Sequence, residues 1–236
     1  MINLLKNLFC SSLGKKFIMA ASGCVLFLFV VGHCVGNLQV FLGPEAINRY
    51  GAFLQGLEEL LWPVRITLVT LVILHFWSAS RLTLENRAAR PVAYAEWNPT
   101  VASYASRTMF VGGSVIGCFI VYHILHYTAL VNVGGGNFTS SAQFEWTNEH
   151  GEKIHDIYKM LIVGFSVKWW VSIFYIVAVG LLSLHVSHGA KAMLQSLGLK
   201  SKSYDPAVRC FAAAVAAFLF VGYSSIPLAI MLGFLK

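Results

Sequence analysis

The chain has 236 residues, of which 57% are hydrophobic and only 11% are charged. Soluble domains carry about 25% charged residues, so this composition excludes an ordinary soluble protein and indicates an integral membrane protein. The net charge of +7 lies mainly in a few short segments between apolar stretches, so it does not indicate a nucleic-acid partner. No pattern of a cleavable signal opens the chain, and we expect the first apolar stretch to remain as a membrane helix.

Five apolar stretches are each long enough to cross a bilayer core of about 30 Å, which takes about 20 residues. Because these stretches are continuous and do not alternate with polar residues, they predict helices and not barrel strands. We therefore predict an all-α integral membrane bundle of five transmembrane helices, forming one domain over residues 1–236. The spans lie at about 17–42, 60–80, 108–131, 167–187 and 208–235, and the fourth has a further apolar run before it at 157–165.

Basic residues predict the orientation of the bundle. Eleven lie before the first span, between the second and third spans or between the fourth and fifth, where only three acids occur; the opposite loops hold seven acids. By the positive-inside rule, the N-terminus is predicted to be cytoplasmic and the C-terminus to lie outside. The eleven are Lys6, Lys15, Lys16, Arg81, Arg87, Arg90, Arg107, Lys191, Lys200, Lys202 and Arg209.

Six of the eight histidines lie within the predicted spans or at their ends, and four of them fall at two matched depths. His33 and His123 follow the nearest cytoplasmic-side charge by 17 and 16 residues, which is roughly 24–26 Å of helix. His75 and His185 each precede such a charge by six residues, or roughly 9 Å. The two depths therefore differ by about 15 Å.

Two imidazoles at each of two levels, each from a different helix, meet the needs of two bis-histidine haems, because each iron takes two axial nitrogens from opposite sides. An imidazole in hydrocarbon needs a polar partner, although a single one is often only a hydrogen-bonded packing residue. The sequence lacks a C-x-x-C-H motif, which excludes a covalently attached c-type haem. Its five cysteines have no spacing typical of metal ligands.

Two further histidines, His126 and His188, each lie three residues from one of these four, on a nearby helical face. Their depths match less well, since His126 is 19 residues beyond Arg107 and His188 only three residues before Lys191. We therefore predict His123 and His185 as ligands. His126 and His188 are assigned to binding a haem propionate or to capping a helix end.

Arg65 lies inside the second span, 16 residues from Arg81 and thus level with the deeper pair of histidines. A guanidinium at that depth calls for an anion, and a propionate of the outer haem is the preferred partner. Snorkelling to the outer surface is the alternative. Gly32 and Gly36, which bracket His33, fit either close helix packing or clearance for a planar cofactor.

Seven motifs in order along the chain resemble the cytochrome b subunit of succinate dehydrogenase and fumarate reductase, in its single-chain, five-helix, di-haem form from bacteria and archaea. The resemblance implies axial pairs His33–His123 at an outer haem and His75–His185 at an inner haem. The motifs are SSLGKKFIMAASG (11–23), HCVGNLQVF (33–41), LENRAARPVAY (84–94), ASRTM (105–109), YHILHYT (122–128), HDIY (155–158) and LHVSHGAKAMLQSLG (184–198).

The resemblance also implies partners and a reaction. A flavoprotein subunit with FAD and an iron–sulfur subunit would bind on the cytoplasmic side of the bacterial inner membrane, and electrons from succinate would reach a quinone through two haems b. Fumarate reduction is the reverse, and both belong to the respiratory chain and the tricarboxylic acid cycle. Menaquinone is the expected quinone, near the outer haem, with Glu58 and Glu59 as candidate proton carriers or ordinary solvated helix-end residues.

Basic segments around Lys15 and Lys16 and around Arg87 and Arg90 are expected to contact the iron–sulfur partner, or else anionic lipid. The sequence leaves open whether the whole complex is a dimer. Two other functions stay open as well: the di-haem subunit of another respiratory dehydrogenase, such as a formate dehydrogenase or hydrogenase, and a proton-coupled or metal transporter whose histidines form a relay. The cores of the spans contain no acid, which disfavours the transporter.

Overall fold

The structure, a computed structural model, describes residues 2–89, 104–131, 143–148, 151–199 and 201–236. Helices account for 84% of the described residues, and five of these helices are long and apolar enough to span a membrane. The elements are α1 (Ile2–Cys10), α2 (Ser12–Leu38), a 3-10 helix (Gln39–Leu42), α3 (Pro44–Gly56), α4 (Glu58–Ala88), α5 (Tyr104–Tyr127), β1 (Glu145–Thr147), β2 (Lys153–His155), α6 (Ile157–Ser166), α7 (Trp169–Ser196) and α8 (Asp205–Met231).

Each predicted span overlaps one of the long helices α2, α4, α5, α7 and α8, although the third and fifth were predicted to extend beyond the helix ends at Tyr127 and Met231. The helices are longer than some apolar runs, because hydropathy marks only the part suited to lipid. The first predicted span is divided, since α2 ends at Leu38 and a 3-10 turn leads to Gly43, whose φ of 99° favours glycine. The apolar run before the fourth span forms a separate helix, α6, and is not an extension of α7. Arg90 and Lys200 lie outside the described residues.

Four of the long helices form a ring. α4 packs along α2, α2 along α7, α7 along α5, and α5 closes against α4. Consequently α2 and α5 face each other across the middle of the ring, as do α4 and α7. The fifth long helix, α8, packs on the outside of the ring against α7 and α2.

The end of the ring that contains α3 and α6, here called the outer end, holds the largest buried core. Its side chains come from the C-terminal halves of α5 and α8, the N-terminal half of α7, the 3-10 helix, α3 and α6. Asn48 of α3 is fully buried and donates to Asp156 Oδ1 (3.0 Å), and it accepts from the backbone N–H of Tyr158 (3.0 Å). Asp156 also caps α6 by accepting from Lys159 N–H. Two residues of the HDIY motif thus dock α6 onto α3.

The opposite end, here called the inner end, is held by an ion pair between the start of α2 and the end of α4. Lys15 is only 3% exposed, and its Nζ donates to both carboxylate oxygens of Glu85 at 2.5 and 2.6 Å. Lys15 therefore has a partner within the chain. Of the two lysines expected to contact another subunit, Lys16 alone is exposed.

Candidate metal centres

The outer pair of histidines meets across the ring. His33 on α2 and His123 on α5 have ring centroids 5.9 Å apart, with an angle of 79° between the ring planes. The Phe29 ring stacks on His33 with a centroid distance of 5.4 Å and an angle of 13°. Because α2 and α5 face each other across the ring, these imidazoles converge on its interior.

The inner pair has the same arrangement, between the other two facing helices of the ring, α4 and α7. His75 on α4 and His185 on α7 have ring centroids 6.1 Å apart at an angle of 62°. The Nδ1 atom of His185 is buried and has no hydrogen-bond partner among the described residues. The inner pair therefore presents a nitrogen that the described part of the protein leaves unsatisfied, which is costly unless a ligand compensates.

Both distances fit one metal ion between the two rings of each pair. With metal–nitrogen bonds of about 2.0–2.1 Å, two imidazoles that bind one first-row metal from opposite sides have centroids about 6 Å apart. The described residues contain no group of three or more His, Cys, Asp or Glu side chains arranged to hold a metal. Each pair supplies two donors, and the ring nitrogens of a haem would complete such a coordination sphere.

The contacts of two glycines give the distance between the two histidine pairs along the helix axes. Gly23 of α2 lies against His75, since a Cβ there would be 3.1 Å from His75 Cε1; Gly113 of α5 faces His185 in the same way at 3.5 Å. His33 follows Gly23 by ten residues, and His123 follows Gly113 by ten. On both helices the two levels are therefore about 15 Å apart, in agreement with the separation expected from sequence.

The hydrogen bond of His75 determines which of its nitrogens is free. Its Nδ1 lies 3.0 Å from the backbone carbonyl oxygen of Met19 and 3.2 Å from Ser22 Oγ. A carbonyl oxygen only accepts, so Nδ1 carries the proton and donates it. The lone pair of the neutral ring is then on Nε2, the nitrogen available to a metal. Such a bond also holds the ring in one orientation and raises the basicity of the ligand.

A tyrosine from the neighbouring helix approaches the outer pair. The hydroxyl oxygen of Tyr175 on α7 is 3.4 Å from His123 Nδ1 and 3.0 Å from His126 Nδ1. His126 is fully buried, and the rings of Tyr122, Tyr127 and Tyr175 surround it. His126 is therefore bonded to Tyr175, whereas the ring facing His33 is that of His123.

The other predicted site residues are not members of the two pairs. The Arg65 guanidinium is exposed and lies over the Trp62 ring, 5.3 Å from its centroid, so contact with a propionate stays a prediction. His188 follows His185 by one turn on α7, on the side nearer Lys191. Glu58 and Glu59 are exposed in the first turn of α4, where negative charge stabilises the helix dipole.

The two glycines beside His33 have different surroundings, which bears on whether they serve helix packing or clearance for a planar cofactor. A Cβ on Gly36 would be 2.7 Å from the Tyr50 ring, so Gly36 allows α3 to pack on α2. A Cβ on Gly32 would have nothing within 4 Å. Gly36 is thus explained by helix packing, and clearance for a planar group stays a prediction for Gly32 alone.

Sequence reasoning missed Tyr175 and the Met19 carbonyl. One signal could have found Tyr175: it precedes His185 by ten residues on α7, the same interval that separates the two levels on α2 and α5. Arg65 precedes His75 by ten residues on α4. The Met19 carbonyl is a backbone group, so residue type carries no signal for it.

No match to this chain was found among models of known protein families, curated proteins or solved structures.

Proposed function

We propose that this chain is a membrane cytochrome that holds two haems b, each between two histidines. One observation carries the proposal: four imidazoles from four helices meet as two pairs, with centroid distances of 5.9 and 6.1 Å, at levels about 15 Å apart. His33 and His123 would hold one iron, and His75 and His185 the other. A bound haem b supplies one-electron transfer.

Within that class, we propose the membrane-anchor cytochrome b subunit of succinate:quinone oxidoreductase, which is succinate dehydrogenase or fumarate reductase. The support is the series of seven motifs, which runs from residue 11 to residue 198. The dicarboxylate site and FAD would belong to a flavoprotein subunit, and the iron–sulfur clusters to a second subunit. Menaquinone or another quinone would be the substrate in the membrane.

The residues of this chain would orient and shield the metal centres. The bond from His75 Nδ1 to the Met19 carbonyl would hold the imidazole in one orientation and leave Nε2 as the nitrogen that binds iron. At the outer end, the buried aromatic core around Phe119 and Tyr175 excludes water from the side of His123. At the start of α4, the carboxylates of Glu58 and Glu59 are exposed and would hold protons for a quinone.

The inner end would face the cytoplasm of a bacterium and its soluble partners. Lys16 and Arg87 are exposed there and would contact the iron–sulfur subunit, while Lys15 is engaged by Glu85. The five long apolar helices would cross the inner membrane. Lipid would surround their outward faces, which carry many exposed large hydrophobic side chains.

The first test is to purify the full chain from membranes of cells supplied with haem. We expect sharp b-type bands in the reduced visible spectrum and two haems per chain by pyridine haemochrome assay. Each of the variants His33→Ala and His75→Ala should retain one haem. A wild-type chain without haem would overturn the proposal and favour a transporter.

The second test concerns the complex. We expect the chain to co-purify with a flavoprotein and an iron–sulfur protein, in a complex that reduces a menaquinone analogue with electrons from succinate. A di-haem chain that co-purifies with a formate- or hydrogen-oxidising subunit would overturn the narrower proposal and leave the di-haem assignment intact.

A further inference from the structure

The side chain of Tyr175 connects two histidines that the proposed function treats differently. Its hydroxyl oxygen lies 3.0 Å from Nδ1 of His126 and 3.4 Å from Nδ1 of His123. The ring is 7% exposed and packs edge-on against Phe119 and Phe165 with centroid distances of 5.0 Å. This packing holds the hydroxyl at a defined place behind His123.

The chemistry of the three groups fixes the direction of both hydrogen bonds. A histidine that binds iron through Nε2 keeps its proton on Nδ1, so as an iron ligand His123 would donate to the tyrosine oxygen. A tyrosine has one hydroxyl proton, and Tyr175 therefore donates it to His126 Nδ1, which accepts. Successive hydrogen bonds of this kind strengthen one another.

We propose that Tyr175 is the positioning residue of the outer haem ligand. By accepting from His123 Nδ1, it holds the ring with Nε2 towards His33 and raises the electron donation of the imidazole to the iron. His126 would act through Tyr175 and would not be a ligand. This inference rests on the proposed function, because it concerns the iron that His33 and His123 would share.

His75 and His123 differ in the group that would receive the Nδ1 proton. For His75 it is a backbone carbonyl, Met19 O, at 3.0 Å, with Ser22 Oγ close by. For His123 it is a side chain that a single substitution removes. Stronger donation by an axial imidazole stabilises the oxidised iron, so loss of the Tyr175 hydroxyl should raise the potential of the outer haem and leave the inner haem unchanged.

The test is a redox titration of the visible spectrum of the purified full chain carrying Tyr175→Phe, which keeps the ring and its packing. We expect the midpoint potential of one of the two reductive waves to rise by about 59 mV, which corresponds to a tenfold change in the equilibrium constant for one electron. The other wave should keep its position. Loss of one haem with the other unshifted would equally support the inference.

Tyr223→Phe is the matched control. Tyr223 also lies beside the outer pair, with its ring 6.1 Å from that of His33, but its hydroxyl donates to the backbone oxygen of Val30 at 2.8 Å. This variant removes an equivalent hydroxyl without touching His123, and both waves should stay in place.

Three results would overturn the inference: two unshifted waves in Tyr175→Phe, equal shifts of both waves, or the same shift in Tyr223→Phe. Each would leave the wild-type chain with two haems, so the proposed function would stand. A wild-type chain without haem would instead remove the proposed function, and the inference with it.

Discussion

The choice between His123 and His126 gives the sharpest prediction, because the two imidazoles are three residues apart on α5. His123→Ala should reduce the haem content from two per chain to one, since it removes the ring that faces His33 at 5.9 Å. The absorbance of the reduced b bands should fall by about half, because a non-covalently bound bis-histidine haem depends on both of its protein ligands.

His126→Ala should retain both haems and reduce stability instead. The substitution removes the partner of the Tyr175 hydroxyl at 3.0 Å, and a buried polar group left unsatisfied costs about 1–3 kcal/mol. The pyridine haemochrome assay gives the haem count, and chemical unfolding in detergent gives the free energy of unfolding. If His126→Ala carried one haem and His123→Ala carried two, the ligand assignment would be wrong.

Three further predictions concern the free energy of unfolding, measured in the same detergent system. Glu85→Leu should cost about 3 kcal/mol, because it leaves the ammonium of Lys15 buried without a partner; Lys15→Met should cost only about 1 kcal/mol, because the carboxylate is 35% exposed. Equal costs would contradict that reasoning. Asn48→Ala should cost about 1–3 kcal/mol for each buried partner that it leaves unsatisfied, and a cost near zero would show that α3 and α6 do not depend on this contact. Gly164→Ala should cost about 1–3 kcal/mol, because its Cβ would overlap the hydroxyl of Tyr127; an unchanged stability would show that the ring shifts freely.

The long helices and their order follow from hydropathy alone, since each apolar run is long enough to need a helix in lipid. Positions along a helix also convert directly into distance, which is why His33 and His123 are found level with each other. Helix α3 is different: it is short and lies between two apolar runs, so hydropathy does not mark it. The role of Asp156 was likewise hidden, because its partner Asn48 is 108 residues away in sequence.

The direction in which each side chain points around its helix axis also could not be predicted from the sequence. Counting residues gives the level of a histidine, but whether its ring points into the bundle or towards a neighbour depends on which helices are adjacent. Tyr175 bonds His123 because α7 packs on α5, and this adjacency is a tertiary property. Arg65 is a second example: it is at the outer level on α4, but its guanidinium lies over Trp62 of the same helix.

Each histidine pair joins two facing helices of the ring, α2 with α5 and α4 with α7, and this has a consequence for biosynthesis. A ribosome delivers the helices in order, and N-terminal parts of a chain fold first. The outer pair has both members once α5 has been inserted, but the Tyr175 bond and the inner pair must wait for α7. Helix α8 contributes to neither pair, so a nascent chain that stops before residue 205 already carries all four donors.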